Sequence, residues 1–445
     1  MKEKPTAAAA KRRLSSGTTP RKRPRDGSYG CDLISDLPND ILGIIVSLLP
    51  TKDGARTQAV ARRCNLDAGN IDTRYPPHRQ GPRPPTRSII SRILSDHQGP
   101  VRRFDFRLPS IRKRKWRYNE EVAHVESWLR SGRLDNLHEL HICVESLPCF
   151  HCDFPDEMAP SLSFPLLKHL TLMRVSISED VFDAVLSACH VLETLLFEEN
   201  RCIAPLHISS PTLRSIGFRN FYMGEAELVI EDTPRLERLL LINSSVETIR
   251  IIWAPKLEIL GPLSPRNSNI QIGELIVQGL IPTSLDHSIC TVKILALQFS
   301  YTDLHPVVDI LGFFPCLEKL YVTRDKFVAV KMKNVCHYDP PDPIKCLETH
   351  LTNLVLKNYI GDKHDVSFVK FFVSNAKVLK EIKFGVSGKI DKKWVANQHG
   401  LLGVETKASP DAQFEFIRVS SFKVQLDTHD LSIADPFDSL IRRRG

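Results

Sequence analysis

The sequence predicts an α/β fold: a solenoid of short stacked repeats with a parallel sheet on its concave face, preceded by a small helical module. Three observations carry this. A short apolar skeleton recurs through the middle of the chain, helical periodicity gives way to period-two alternation inside single repeats, and a compact, almost wholly apolar helix lies ahead of them.

The skeleton is clearest in Thr233-Pro-Arg-Leu-Glu-Arg-Leu-Leu-Leu241, where Leu236 is followed by apolar residues three and five positions later. Phe164–Leu172, Ser210–Phe218, Ala254–Leu260 and Phe314–Val322 follow it closely, and looser copies begin at Leu137, Leu192, Val292, Leu351 and Leu379. From Leu137 to Leu379 the mean step is about 27 residues, within the range of leucine-rich repeats. One such unit cannot bury its own apolar face, so each needs a stacked neighbour. Ser178–Phe197, Leu304–Val322 and Asp365–Phe384 each show a helix-spaced apolar set followed by a strand. Shorter repeats lack room for a helix and are expected to use turns or 3₁₀ segments on the outer side. The solenoid is assigned to residues 88–340, with Val101–Leu108 as an early strand.

Stacked strands send alternate side chains into the core and out to the concave face. The outward positions mix polar and apolar groups and hold no single-sign field, which suits a protein partner better than a phosphate backbone. Leu196, Arg238, Leu240, Lys319, Tyr321, Asn353 and Val355 are the target-binding candidates on that face.

Hydrophobic residues at 42% and charged residues at 25% fit a globular chain, and no apolar run approaches the ~20 residues of a membrane span. No apolar stretch follows the basic N-terminus as in a signal peptide, and 11 scattered cysteines do not suggest a disulfide framework. A reducing, intracellular setting is expected. The net charge of +8 is concentrated in residues 1–30, where nine basic residues face Glu3 and Asp26. That segment is too poor in apolar residues to order itself. Its clusters Lys11, Arg12, Arg13 and Arg21, Lys22, Arg23, Arg25 fit a nuclear import signal, placing the protein in the nucleus or shared with the cytoplasm; a solubilising tail is the plainer reading.

Residues 37–49 carry Leu37, Pro38, Ile41, Leu42, Ile45, Leu48 and Leu49, with Pro38 at a first helical turn and Pro50 as the stop. A ten-residue helix apolar nearly all round needs burial on more than one side, hence a partner. The Leu37-Pro-Asn-Asp-Ile-Leu42 and Leu49-Pro-Thr-Lys-Asp53 segments resemble the plant F-box. The resemblance implies a module, residues 32–66, that docks those seven apolar residues on the Skp adaptor of cullin–RING ubiquitin ligases. The family's Trp-rich end is replaced here by Arg62-Arg-Cys-Asn-Leu-Asp67. A buried Trp removes roughly 150–250 Å² from water, so its loss weakens the module by a few kcal/mol.

Residues 67–87, rich in Pro and Arg, read as a linker. Ile111–Tyr118 is a basic run with two aromatics, read as a solvated loop rather than a nucleic-acid contact. Toward the C-terminus Leu351–Asp362, Phe371–Glu381, Lys392–Asn397, Asp411–Phe416 and His429–Asp438 resemble, in order, the FBD region that closes many plant F-box proteins. Physically, residues 343–438 are expected to be final repeats and a cap.

No phosphate-binding Gly-rich loop, nucleophile elbow or His-Glu-x-x-His pattern occurs. His141, Cys143, Cys149, His151 and Cys152 come nearest to a metal set, but no second tight pair follows at finger spacing, and ordinary core and loop roles are expected. The expectation is therefore a chain without catalytic residues, metal or cofactor: a substrate-recognition subunit of an Skp–cullin–F-box ubiquitin ligase. The alternatives are a non-ligase nuclear scaffold with a degenerate F-box and a nucleic-acid-binding regulator.

Overall fold

The computed structural model describes residues 64–67, 91, 94–95, 101–109, 127–145, 152–153, 163–176, 178–200, 205–221, 227–265, 267, 269–278, 281–282, 288–299, 305–324, 343–386, 388–419 and 427–440. The import clusters, the seven adaptor-docking residues from Leu37 to Leu49 and the Ile111–Tyr118 run lie outside these residues.

Thirteen strands form one parallel sheet in strict chain order. They are β1 Cys64–Asp67, β2 Val101–Pro109, β3 Glu139–Glu145, β4 His169–Met173, β5 Thr194–Glu198, β6 Ser215–Arg219 and β7 Arg238–Ile242. There follow β8 Ile259–Leu263, β9 Ile294–Phe299, β10 Lys319–Arg324, β11 Asn353–Tyr359, β12 Glu381–Val386 and β13 Gln413–Arg418. Each of the ten skeleton copies yields a strand beginning two residues after its first apolar residue. The second apolar residue of every copy falls into one row, Leu140–Leu170–Leu195–Ile216–Leu239 and onward through Leu260, Leu295, Leu320, Leu354 and Ile382. All are buried, as are the ten first residues from Leu137 to Leu379. Burying each such side chain contributes roughly 1.5–3 kcal/mol, and the rows together make one continuous core.

Between strands the chain must reverse toward the convex side. It does so through left-handed residues just past the strand ends, Arg174, Glu199, Asn220 and Asn243. Asn tolerates this conformation because its short polar side chain bonds locally. Arg174 and Glu199 sit there without that advantage but bond each other at 2.7 Å. Asn200, buried beside this bend, accepts from the Val175 N–H and donates to the Leu172 carbonyl, so two backbone groups left by the turn are satisfied.

The convex side departs from expectation in the short repeats. Where turns or 3₁₀ segments are expected, the chain forms a second, six-stranded sheet that includes Leu206–Ile208, Glu227–Asp232, Thr248–Trp253 and Asn269–Ile272. The reason is legible afterwards: Leu206/Ile208, Leu228/Ile230 and Ile249/Ile251 alternate, and all six are buried. Longer repeats do carry helices, α1 Glu179–Ala188, α2 His305–Gly312, α3 Lys345–Thr349 and α4 Lys363–Asn375. A fifth, α5 Lys392–Leu402, packs beyond α4. No described helix is long and apolar enough to cross a membrane.

The N-terminal end of the sheet is covered differently from the sequence reading. Cys64–Asp67, expected as the end of the F-box module, pairs instead with β2 as the first strand of the solenoid. An extended Cys-Asn-Leu-Asp segment supplies partners for the edge of β2, which a helix end would leave bare. At the other end β13 adds a further parallel strand to β12, with Phe414 opposite Ile382 and Phe416 opposite Phe384.

Candidate functional site: the concave face and the segment across it

The concave column is the one the repeats predict, in register from His141 through Thr171, Leu196, Gly217 and Leu240 to Tyr321, Val355 and Lys383. Its exposure is not. Leu240 is 0% exposed, Arg238 and Tyr321 4%, Val355 5% and Leu196 6%. The candidate target-binding surface is largely covered by the chain's own residues 427–438, which cross the strands from β4 to β10.

The crossing segment is fixed at three places. His429 sits against β4 and β5, its ring nitrogens bonded to the hydroxyls of Thr171 (2.7 Å) and Thr194 (2.5 Å). The Thr194 hydroxyl also meets Nδ1 of His169, whose ring lies edge-on to that of His429. Burial, with His169 as a second cause, holds the His429 imidazole down at about 4, so it is neutral at pH 7. Over β7, the Arg238 guanidinium donates to the carbonyls of Asp430 (3.0 Å) and Leu431 (2.9 Å). Desolvation lowers its pKa, the expected result of burying a cation whose direct partners are neutral.

The third place is the strongest. Asp435 Oδ2 accepts from the Tyr321 hydroxyl at 2.8 Å and from Lys319 Nζ at 3.0 Å, while Oδ1 accepts from the Phe437 backbone N–H. Burial first, and the Asp435 charge second, raises the Tyr321 pKa. Two residues on, the Phe437 ring is 0% exposed in a second apolar cluster with Leu240, Ile259, Ile294, Ala296, Tyr321 and Val355. Asn353, the remaining candidate, donates to Glu381 across the strands at 3.0 Å.

Gly217 shows how closely the segment approaches. A Cβ there would overlap the Thr428 hydroxyl and methyl, so the concave column has no side chain where Thr428 passes. A sequence signal for this cover did exist: Leu196, Leu240, Ile259, Ile294 and Val355 put more apolar area on an outward face than water tolerates without an occupant.

The N-terminal half of the face stays open. A groove of about 720 Å³ runs between β2–β6 and residues 427–430. Several charges along it are paired: Arg103 with Glu139 at 3.4 Å, Arg219 with Glu198 at 3.1 Å, and His141 with Asp105 at 3.1 Å. Asp105 Oδ1, His141 Nε2 and the hydroxyls of Ser215 and Thr428 are buried at this end of the face with no hydrogen-bond partner among the described residues. Of the metal-like set, His141 is held by Asp105 and Cys143 donates to the Met173 sulfur at 3.5 Å. Cys149 and His151 lie outside the described residues, among which no group of three or more possible ligands stands together.

A parallel solenoid with a sheet-lined concave face and a turn-rich segment across it, ending in the 3₁₀ helix Pro436–Leu440, defines a leucine-rich-repeat protein closed by its own C-terminal part. Comparison with known proteins makes this specific. Residues 137–322 match the family model of the FBD-associated F-box protein At5g56370 LRR repeats, and residues 339–384 match the FBD model. The second match covers the two closing repeats; the crossing segment lies beyond it. Among Arabidopsis thaliana proteins, F-box/LRR-repeat protein At3g03360 is 29% identical over 240 residues, 48% of each chain. The putative F-box/FBD/LRR-repeat protein At5g44960 is 25% identical over 463 residues, 87% of this chain and 99% of the relative. The putative FBD-associated F-box protein At5g56440 is 27% identical over 243 residues, 48% of this chain and 55% of the relative. The match thus spans about half the length of the first and third and nearly all of the second. The chain carries the leucine-rich repeats and the FBD region of plant F-box/LRR/FBD proteins and is homologous to them.

Proposed function

We infer that the protein is the substrate-recognition subunit of an Skp–cullin–F-box ubiquitin ligase, acting in the nucleus. The observation that carries this is the joint occurrence of two independent parts. The Leu37-Pro-Asn-Asp-Ile-Leu42 to Asp53 stretch resembles the F-box, and the solenoid behind it is similar to proteins named for an F-box. In this reading Leu37, Pro38, Ile41, Leu42, Ile45, Leu48 and Leu49 dock on the Skp adaptor, and the concave face holds a target protein. The chain performs no bond chemistry. It raises the local concentration of target beside a charged conjugating enzyme, and proximity supplies the acceleration.

The test is an affinity purification from native tissue, scored for adaptor and cullin. Wild type is expected to retain both, while Leu37→Ala with Pro38→Ala, or Leu48→Asp, loses both and keeps the circular dichroism of the solenoid. A wild-type protein that brings down neither overturns the reading. One observation favours a second reading, a nuclear scaffold without ligase activity: the segment in place of the Trp-rich F-box end is the solenoid's first strand, Cys64–Asp67. That reading predicts target capture without adaptor.

A further inference from the structure

Residues 427–438 touch the concave face with two different levels of quality. At 435–437 every contact is complementary: the Asp435 carboxylate has one cationic and one hydroxyl donor, and the Phe437 ring is enclosed by aliphatic and aromatic side chains. At 427–431 the fit is mixed: His429 and the Asp430 and Leu431 carbonyls are bonded, but two buried hydroxyls are not. Thr428 is 1% exposed and its hydroxyl has no partner among the described residues, nor does the hydroxyl of Ser215, 0% exposed on the strand beneath. Arg238 is covered by two neutral carbonyls where a carboxylate would offset its desolvation better. Each unpartnered buried hydroxyl is a penalty that exposure to water would relieve. One half of the segment is therefore an anchor and the other half is a cover held down by that anchor.

The anchor occupies the outward-facing residues of a solenoid whose binding surface is that face. Lys319, Tyr321 and the apolar pocket around Leu240 and Val355 read a carboxylate and, two residues later, an aromatic ring. We propose that residues 427–438 are an internal stand-in for the protein's partner, and that the concave face takes a peptide segment that turns into a 3₁₀ helix, as Pro436–Leu440 does, and carries a carboxylate two residues before an aromatic side chain. The proposal rests on the reading that the concave face holds a target protein. Because the stand-in is covalently attached, it competes at an effective concentration on the order of mM. A partner peptide thus binds the intact chain weakly unless it also gains contacts in the open groove beside residues 427–430. The segment would act as an affinity threshold against short Asp-x-Phe sequences met at random.

The test uses the full-length chain and a fluorescent synthetic peptide of residues 427–440. The Asp435→Ala/Phe437→Ala chain is expected to bind this peptide at least tenfold more tightly than wild type does. Peptides bearing Asp435→Ala or Phe437→Ala alone should lose at least tenfold on that same variant. Circular dichroism and thermal melting establish that the variant keeps its solenoid. In wild type, unlabelled peptide at mM concentration should speed hydrogen exchange in residues 427–438 and leave β7 and β10 protected. Equal binding to both chains overturns the proposal, as does a folded variant that binds no peptide. A peptide whose Asp435→Ala form binds equally well reports a merely greasy pocket and also overturns it. If the variant does not fold, the wild-type exchange arm decides, and unchanged exchange there ends the proposal. None of these measurements involves the adaptor, so their failure is distinct from a failed adaptor purification.

Discussion

The Tyr321 hydroxyl donates to the Asp435 carboxylate at 2.8 Å across 114 residues of sequence. Tyr321 stands on the concave side of β10 and Asp435 on a segment beyond the last strand. Their bond, with Phe437 seated beside the tyrosine ring at 5.6 Å, turns an apparently free recognition surface into a covered one. In the proposed function, a target of this face meets what already lies there.

Gly217 tests the cover sterically. A Cβ at this position overlaps the Thr428 side chain, while Asp435 bonds Lys319 and Tyr321 on β10, four strands further along the sheet. Gly217→Val is expected to lift residues 427–431, at a cost of about 1–3 kcal/mol in local docking, without releasing 435–437. Hydrogen exchange should show protection lost in the first half of the segment and kept in the second. Uniform protection would mean that the segment is set by its anchor alone.

Acid tests it electrostatically. His429 has a folded pKa of about 4 against 6.5 for the free side chain, a depressed histidine. The released segment therefore binds more protons than the docked one between those two values. Docking is at full strength above pH 6.5 and weakens as pH falls toward 4, by up to about 3 kcal/mol. His169, also lowered chiefly by burial, works in the same direction, and Asp427 opposes it. Exchange of residues 427–431, taken relative to the intrinsic amide rate at each pH, is expected to rise between pH 7 and pH 5. His429→Gln, which keeps a polar partner for Thr171 and Thr194, should remove most of that rise.

Asp365 tests the scaffold apart from the site. It is 1% exposed at the start of α4, accepts from the Ile360 and Gly361 backbone N–H groups at 2.7 and 2.9 Å, and meets Arg324 at 3.1 Å. Asp365→Ala strips two turn amides and a guanidinium of their buried acceptor and is expected to cost about 3–5 kcal/mol. Chemical denaturation of the full chain measures this, and a loss under 1 kcal/mol would show that water takes the carboxylate's place. Asp362, which caps α4 at its His364 and Asp365 N–H groups, is the more legible residue from sequence yet less buried.

By itself the sequence determined the solenoid. Ten copies of one apolar skeleton announced ten strands, their register and both core rows, because a peg that repeats at fixed local spacing needs nothing beyond its stacked neighbours to be buried. It also announced α1, α2 and α4, whose helical spacing fits within single repeats. The convex strands were harder, since a run such as Leu228-Val-Ile230 is too short to separate strand from turn without its neighbours. Tertiary structure alone decided the state of the concave face. Arg238 meets Asp430 and Leu431 at separations of 192 and 193 residues, and Thr171 meets His429 at 258. No periodicity encodes contacts of that range. They arise where a terminal segment happens to pass, and the surplus of apolar side chains on outward positions was the one local trace they left.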